Sequence, residues 1–129
     1  MNKPTDSVRI VVFNQDGKFL VLTEADDVDN WKLPGGRFDS EGETPDEAAE
    51  RELAEELGLR GEDVSLTPKQ ELVNDDGESK RYIYAAICDA GSVQPTDEVA
   101  KTEWVDENSI PEGKNSGHIR SAWEAASSE

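Results

Sequence analysis

Three carboxylates, Glu52, Glu55 and Glu56, fall within the run "RELAEELGL", a short way after the paired glycines Gly35 and Gly36. Residues three and four apart on a helix are neighbours, and like charges at that spacing destabilise it by a few tenths of a kcal/mol. The same spacing is also a set of hard oxygen ligands. Mg²⁺ takes one or two carboxylates and completes its shell with water and substrate phosphates. A Gly–Gly pair lets backbone approach a ligand closely and reach positive φ. Together these features suggest metal-assisted attack on a phosphate. A solvated acidic face is the open alternative, because 30 Asp and Glu against 13 Lys and Arg give a formal charge of −17 over 129 residues.

The element that must hold the carboxylates is well specified. Thr44 suits the N-cap, Pro45 the first turn, and Glu47 completes a capping box; Gly58 ends the helix. At about 100° per residue, the three glutamates share an arc of roughly 100°. Ala49, Leu53 and Leu57 form an apolar stripe beside it, so the acids stand at the edge of the buried face. Arg51 is placed to pair with Glu55 and Glu47, each four residues away.

Around this helix the pattern is largely extended. Val8 to Phe13 and Phe19 to Thr23 read as a hairpin turned by "QDG" at Gln15 to Gly17. Glu24 to Asn30 reads as an acidic loop, and "WKLPGG" as a short extended segment. "LTPKQELVN", "SKRYIYAAICDA" and "VAKTEWVDE" carry β-type residues. In the second of these, Tyr82, Tyr84, Ala86 and Cys88 share one face and Ile83, Ala85 and Ile87 the other. Ile119, Ala122, Trp123 and Ala126 have the spacing of a core-facing helical stripe.

The run Gly36-x6-Glu43-x7-Arg51-Glu52-Leu53-x-Glu55-Glu56-x-Gly58-Leu59 resembles the Nudix box, G-x5-E-x7-R-E-U-x-E-E-x-G-U, where U is a bulky aliphatic. Every fixed residue is present; the departure is one extra residue between Gly36 and Glu43. The resemblance covers nearly the whole chain, though only the box is specific. It implies an α/β (α+β) fold with a mixed β-sheet sandwiched between α-helices. It implies hydrolysis of a nucleoside diphosphate linked to another group X. On the matching positions, Glu52, Glu55 and Glu56 are metal ligands, joined by the carbonyl of Gly36, and Glu43 and Arg51 brace the loop and helix by ion pairing. The cofactor implied is Mg²⁺, with Mn²⁺ possible. Glu98, ahead of Asp97, matches the region that often supplies a further base.

The remaining readings concern partners and context. Length fits one domain over residues 1–129, acting as a monomer or homodimer. Trp31 and Tyr82 are candidates for stacking a base, against a core role for each. His118 reads as a surface residue near a helix start, and Cys88 as a small core residue. Acidity argues against nucleic acid polymers as partners. No apolar run reaches a membrane span, and the polar start is no signal peptide, so a cytoplasmic protein is expected. Evenly spread acid with few lysines resembles the composition of proteins from halophiles. The second functional class is a Nudix-fold module that senses a nucleotide without cleaving it; such modules typically lose box glutamates, and all are present here.

Overall fold

The computed structural model describes residues 3–127. Asn14 turns the first hairpin: its side-chain oxygen accepts from the Asp16 and Lys18 amides at 2.9 and 3.1 Å, an Asx-type turn. This joins β1 (Ser7–Phe13) to β2 (Phe19–Glu24). β3 (Asp27–Lys32) and β4 (Gly35–Arg37) follow, then α1 (Pro45–Leu57), β5 (Ser65–Val73), β6 (Lys80–Ile87), β7 (Val99–Val105) and α2 (Ser116–Ser127). The sheet runs β3-β2-β1-β6-β5, with β4 on β1 and β7 on β2. β1 and β6 are parallel and every other pairing is antiparallel, so the sheet is mixed.

Side chains alternate across a strand, and the alternation divides the core in two. Val8, Ile10 and Val12 of β1 face α1, where they meet Leu53 and Leu57. Val11, with Ile83 and Ala85 of β6, faces α2 and meets Ile119, Ala122 and Ala126. The sheet is therefore sandwiched between the two helices. Tyr84, Ala86 and Cys88 are buried on the α1 face as their alternation predicts, and Tyr82 is half-buried there. Ile87, at the strand end, is 63% exposed. Trp123 lies at the edge of its stripe, half-buried.

Residues 24–30 differ from the expected acidic loop. Ala25 and Asp26 alone make the turn, and Asp27 to Lys32 pair with β2. Asp and Asn have low strand propensity, but β3 is the outer strand of this end, and an edge strand keeps such side chains in water.

β4 is short because β1 shares one edge between two partners. Ser7 to Arg9 pair with Arg37 to Gly35, while Phe13 pairs with Phe19 of β2. The approach is close: at Gly35 φ is +133°, and a Cβ there would lie 2.1 Å from the Val8 carbonyl oxygen. Backbone strain of this kind alone costs about 1–3 kcal/mol, and the overlap adds to it. Gly35→Ala should therefore destabilise the protein by more than about 3 kcal/mol in urea unfolding. Thr44→Ala, which removes only the observed capping box, should cost about 1 kcal/mol. Equal effects from the two substitutions would contradict this packing of β4.

Candidate active site

The chain of contacts that builds the site starts at the capping box, which fixes where α1 begins: Thr44 Oγ1 accepts from the Glu47 amide and Glu47 Oε1 from the Thr44 amide. With Glu47 so engaged, Arg51 does not pair with it as the helical spacing suggested. Arg51 instead reaches back to Glu43, at 2.8 Å from Nε and 3.1 Å from Nη2. Its Nη1 donates to Glu52 at 3.0 Å and to Glu55 at 2.8 Å, and Nη2 also reaches the Arg37 carbonyl at 3.0 Å. One guanidinium thus hydrogen-bonds three carboxylates and the end of β4, with Asp39 a further ion-pair partner at 3.9 Å.

The extra residue of the box lies in an exposed turn. Glu43 N–H bonds the Ser40 carbonyl at 3.2 Å, and Asp39 N–H donates to Glu43 Oε1 at 2.8 Å. The turn takes up the insertion and leaves Gly36 against the helix. A Cβ on Gly36 would lie 2.8 Å from Glu52 Oε1, so this glycine makes the room that the carboxylate occupies. Next to it, the buried Gly35 N–H donates to Glu56 Oε1 at 2.8 Å.

The end of α1 fixes a second part of the site. Thr96 N–H and Oγ1 bond the carbonyls of Glu56 and Glu55, and Gln94 N–H bonds that of Leu57. Carbonyls that a helix end would leave unsatisfied thereby carry the loop bearing Glu98. Ala25 N–H in turn bonds the Glu98 carbonyl at 2.9 Å.

These pieces surround a cavity of about 630 Å³ lined by Gly36, Glu52, Glu55, Glu56 and Glu98. Asp97 is not among its walls. Arg9, Lys32, Arg37, Glu24 and Asp26 also line it, and sequence reasoning missed all five. One signal was available: Arg9 is a lone cation within the apolar run "VRIVVF". Trp31 and Tyr82 lie elsewhere. Trp31 packs on the α2-side core with Lys101 Nζ 5.3 Å from its ring centroid, and Tyr82 packs against Phe38 at 5.8 Å on the α1 side.

Burial dominates the electrostatics. It pushes Glu56 from an ordinary 4.5 up to about 8, opposed by the Gly35 N–H and reinforced by the Glu52 charge. Burial also raises Glu52, against the pull of Arg51. Glu43 is held low by its hydrogen bond from Arg51, which is itself raised chiefly by Glu43. Arg9 is lowered by burial and supported by Glu56. Among the described residues no three acidic, His or Cys groups converge as metal ligands, because Glu52 and Glu55 are turned onto Arg51 and Glu56 onto Gly35.

A carboxylate raised in the folded state binds more protons there than in the unfolded chain, so stability falls as pH rises between the two values. In the presence of chelator, melting temperature should decline from about pH 5 to about pH 8 through the shift at Glu56. Glu56→Gln should flatten that decline. A wild-type and variant difference that stays constant with pH would exclude a buried, protonated Glu56.

Residues 3–122 match the family model for the NUDIX domain. Over 60 residues the chain is 43% identical to an RNA pyrophosphohydrolase of Aeromonas hydrophila, a stretch covering 46% of this chain and 33% of that protein. The match therefore spans about a third of that relative's length. Over 112 residues it is 30% identical to a putative 8-oxo-dGTP diphosphatase of Bacillus subtilis, covering 83% of this chain and 70% of that one. The fold is similar to that of C. elegans Ap4A hydrolase, with TM-score 0.71 at 20% identity over 92% of this chain and 93% of the other. Matched along nearly all its length, and with its glycine strand packed on its glutamate helix, the chain belongs to the NUDIX domain family.

Proposed function

We propose that this protein is a metal-dependent nucleotide pyrophosphohydrolase, cleaving a phosphoric anhydride of a small-molecule nucleoside diphosphate linked to a group X. The observation that carries this reading is the meeting of Glu52, Glu55 and Glu56 with Gly36 in one cavity that also holds Arg9 and Lys32. The names of the relatives, an RNA pyrophosphohydrolase and an 8-oxo-dGTP diphosphatase, support the same bond type. Water adds across the P–O–P bond and yields two phosphate products.

The donor set suits Mg²⁺ or Mn²⁺. All its side-chain ligands are carboxylate oxygens, the ligands hard cations take, and the missing Cβ of Gly36 leaves the Glu52 carboxylate its place. Glu52, Glu55 and Glu56 would hold the ion, exchanging their bonds to Arg51 and Gly35 for it. A bound ion supplies charge neutralisation on the diphosphate and a more acidic water. Arg9 and Lys32 face the same cavity and stabilise the negative charge on the phosphates. Glu98, exposed at the cavity wall on a loop hung from α1, takes the proton of the attacking water.

The test is Glu52→Gln, assayed with a panel of nucleoside diphosphate derivatives and Mg²⁺ or Mn²⁺. Turnover should fall by more than about 100-fold, with melting temperature kept within a few degrees. Normal turnover would return the cluster to a structural role, its charges braced by Arg51.

We also infer adaptation to high salt from the charge of −17. A polyphosphate approaching this surface is repelled over about 30 Å at 0.01 M salt and about 3 Å at 1 M. Both kcat/KM and melting temperature should rise together as KCl approaches molar at fixed free Mg²⁺. A maximum of both below about 0.2 M, where screening already acts within about 8 Å, would defeat this inference and leave the hydrolase reading standing.

A further inference from the structure

A second cavity, of about 740 Å³, adjoins the first along Arg9 and Arg37 and opens between the sheet and α2. Strand register explains its walls. Ser7 pairs with Arg37 on one side and Arg81 on the other, and Arg9 lies two residues further along β1. All three arginines take the face that Val11 and Ile83 present to α2. Leu72 of β5 stands opposite Arg81 and forms a partly exposed apolar edge.

The charge here runs against the rest of the molecule. In a chain with 30 acids to 13 Lys and Arg, the arginines of this cleft would be expected to find carboxylates. Lys32, Arg51, Lys80 and Lys114 do, while Lys18, Arg60 and Lys101 are exposed to water. Among the described residues, none lies within 4.0 Å of Arg9, Arg37 or Arg81. Asp75 and Asp76 line the cavity, but Asp76 already accepts from the Glu78 and Ser79 amides and the Ser79 hydroxyl. Arg81 Nε is buried and has no acceptor. Its Nη1 lies 2.8 Å from His118 Nδ1. Guanidinium only donates, so Nδ1 is the acceptor, and the imidazole is left with Nε2–H as a further donor. Arg81 Nε thus remains a buried donor in this cleft that no described acceptor meets.

We propose that this cleft is an anion subsite for the part of the substrate beyond the bond that is cleaved, and that Arg81 determines specificity there. The proposal rests on the hydrolase reading of the glutamate cavity. Arg9 and Arg37 span the two cavities, so a phosphate chain can run from the glutamates across them to Arg81 and His118. The preferred group X therefore carries phosphate: nucleoside triphosphates and longer polyphosphates are favoured over nucleoside diphosphates joined to a neutral sugar.

The experiment compares wild type, Arg81→Gln and Arg81→Lys with GTP and GDP-glucose as substrates. Calorimetric titration of inorganic tripolyphosphate in EDTA gives a readout apart from activity. Arg81→Gln should raise KM for GTP at least tenfold with kcat changed less than twofold, and leave GDP-glucose nearly unaffected. It should weaken tripolyphosphate binding by a similar factor, with Arg81→Lys intermediate. Equal losses on both substrates, or unchanged tripolyphosphate binding, would overturn the proposal. If wild type cleaves neither nucleotide, the wider panel decides the hydrolase reading, and tripolyphosphate binding alone decides on the cleft. Should Arg81→Gln lower the melting temperature, His118→Ala, which lines this cleft and not the glutamate cavity, replaces it with the same expectations.

Discussion

Crowding carboxylates at the edge of a buried helix face creates a repulsion that the fold must answer before any chemistry is possible. Arg51 supplies the answer. Its planar fork bonds Glu43 through two nitrogens and reaches Glu52 and Glu55 through a third, a geometry that the point charge of a lysine cannot reproduce. The same group bonds the Arg37 carbonyl, so the glycine strand, the loop before the helix and the acids on it share one anchor. Charge-assisted hydrogen bonds are worth about 1.5–3 kcal/mol each where burial protects them. Glu56 lies beyond the reach of this fork and is answered differently, by a buried backbone N–H and by burial that raises its pKa to about 8.

The sheet then separates two electrostatic environments across a few residues of β1. Towards α1 and the glycines the cavity is acidic, tempered by Arg9 and Lys32. Towards α2 it is lined by arginines whose donors lack acidic partners. Arg9, paired with Gly35 of β4 and Ile83 of β6, lines both. A chain of strongly negative charge thus keeps a cationic strip where strand pairing, rather than sequence proximity, gathers the residues.

That distinction explains what could be read in the sequence. The box and its helix were legible because capping, apolar stripe and carboxylate spacing are local; Thr44, Glu47 and Gly58 act as their positions indicate. The hairpin, β5 to β7 and α2 were legible for the same reason. Arg51 pairing with Glu47 was a helical expectation defeated by the capping box, which claims Glu47 first. β3 was missed because its aspartates read as loop, although an edge strand tolerates them. Arg9, Arg37 and Arg81 come from three strands, and only the register of β1 with β4 and β6 brings them to one cleft. No spacing in the chain encodes that meeting.

The parallel pairing of β1 with β6 has a consequence for the order of folding. Asp6, just before β1, accepts a hydrogen bond from the Lys80 amide, a contact across 74 positions of chain. Closing so long a loop costs entropy that only the completed sheet returns. α1 can wind early from its own caps, but Gly35 hangs from Arg9 of β1, and β1 lacks its longest partner until β6 docks. Site assembly and sheet closure are then one event, late in folding. By the same logic, an excursion of the native state that releases β6 dismantles the arginine cleft and loosens the glycine strand together.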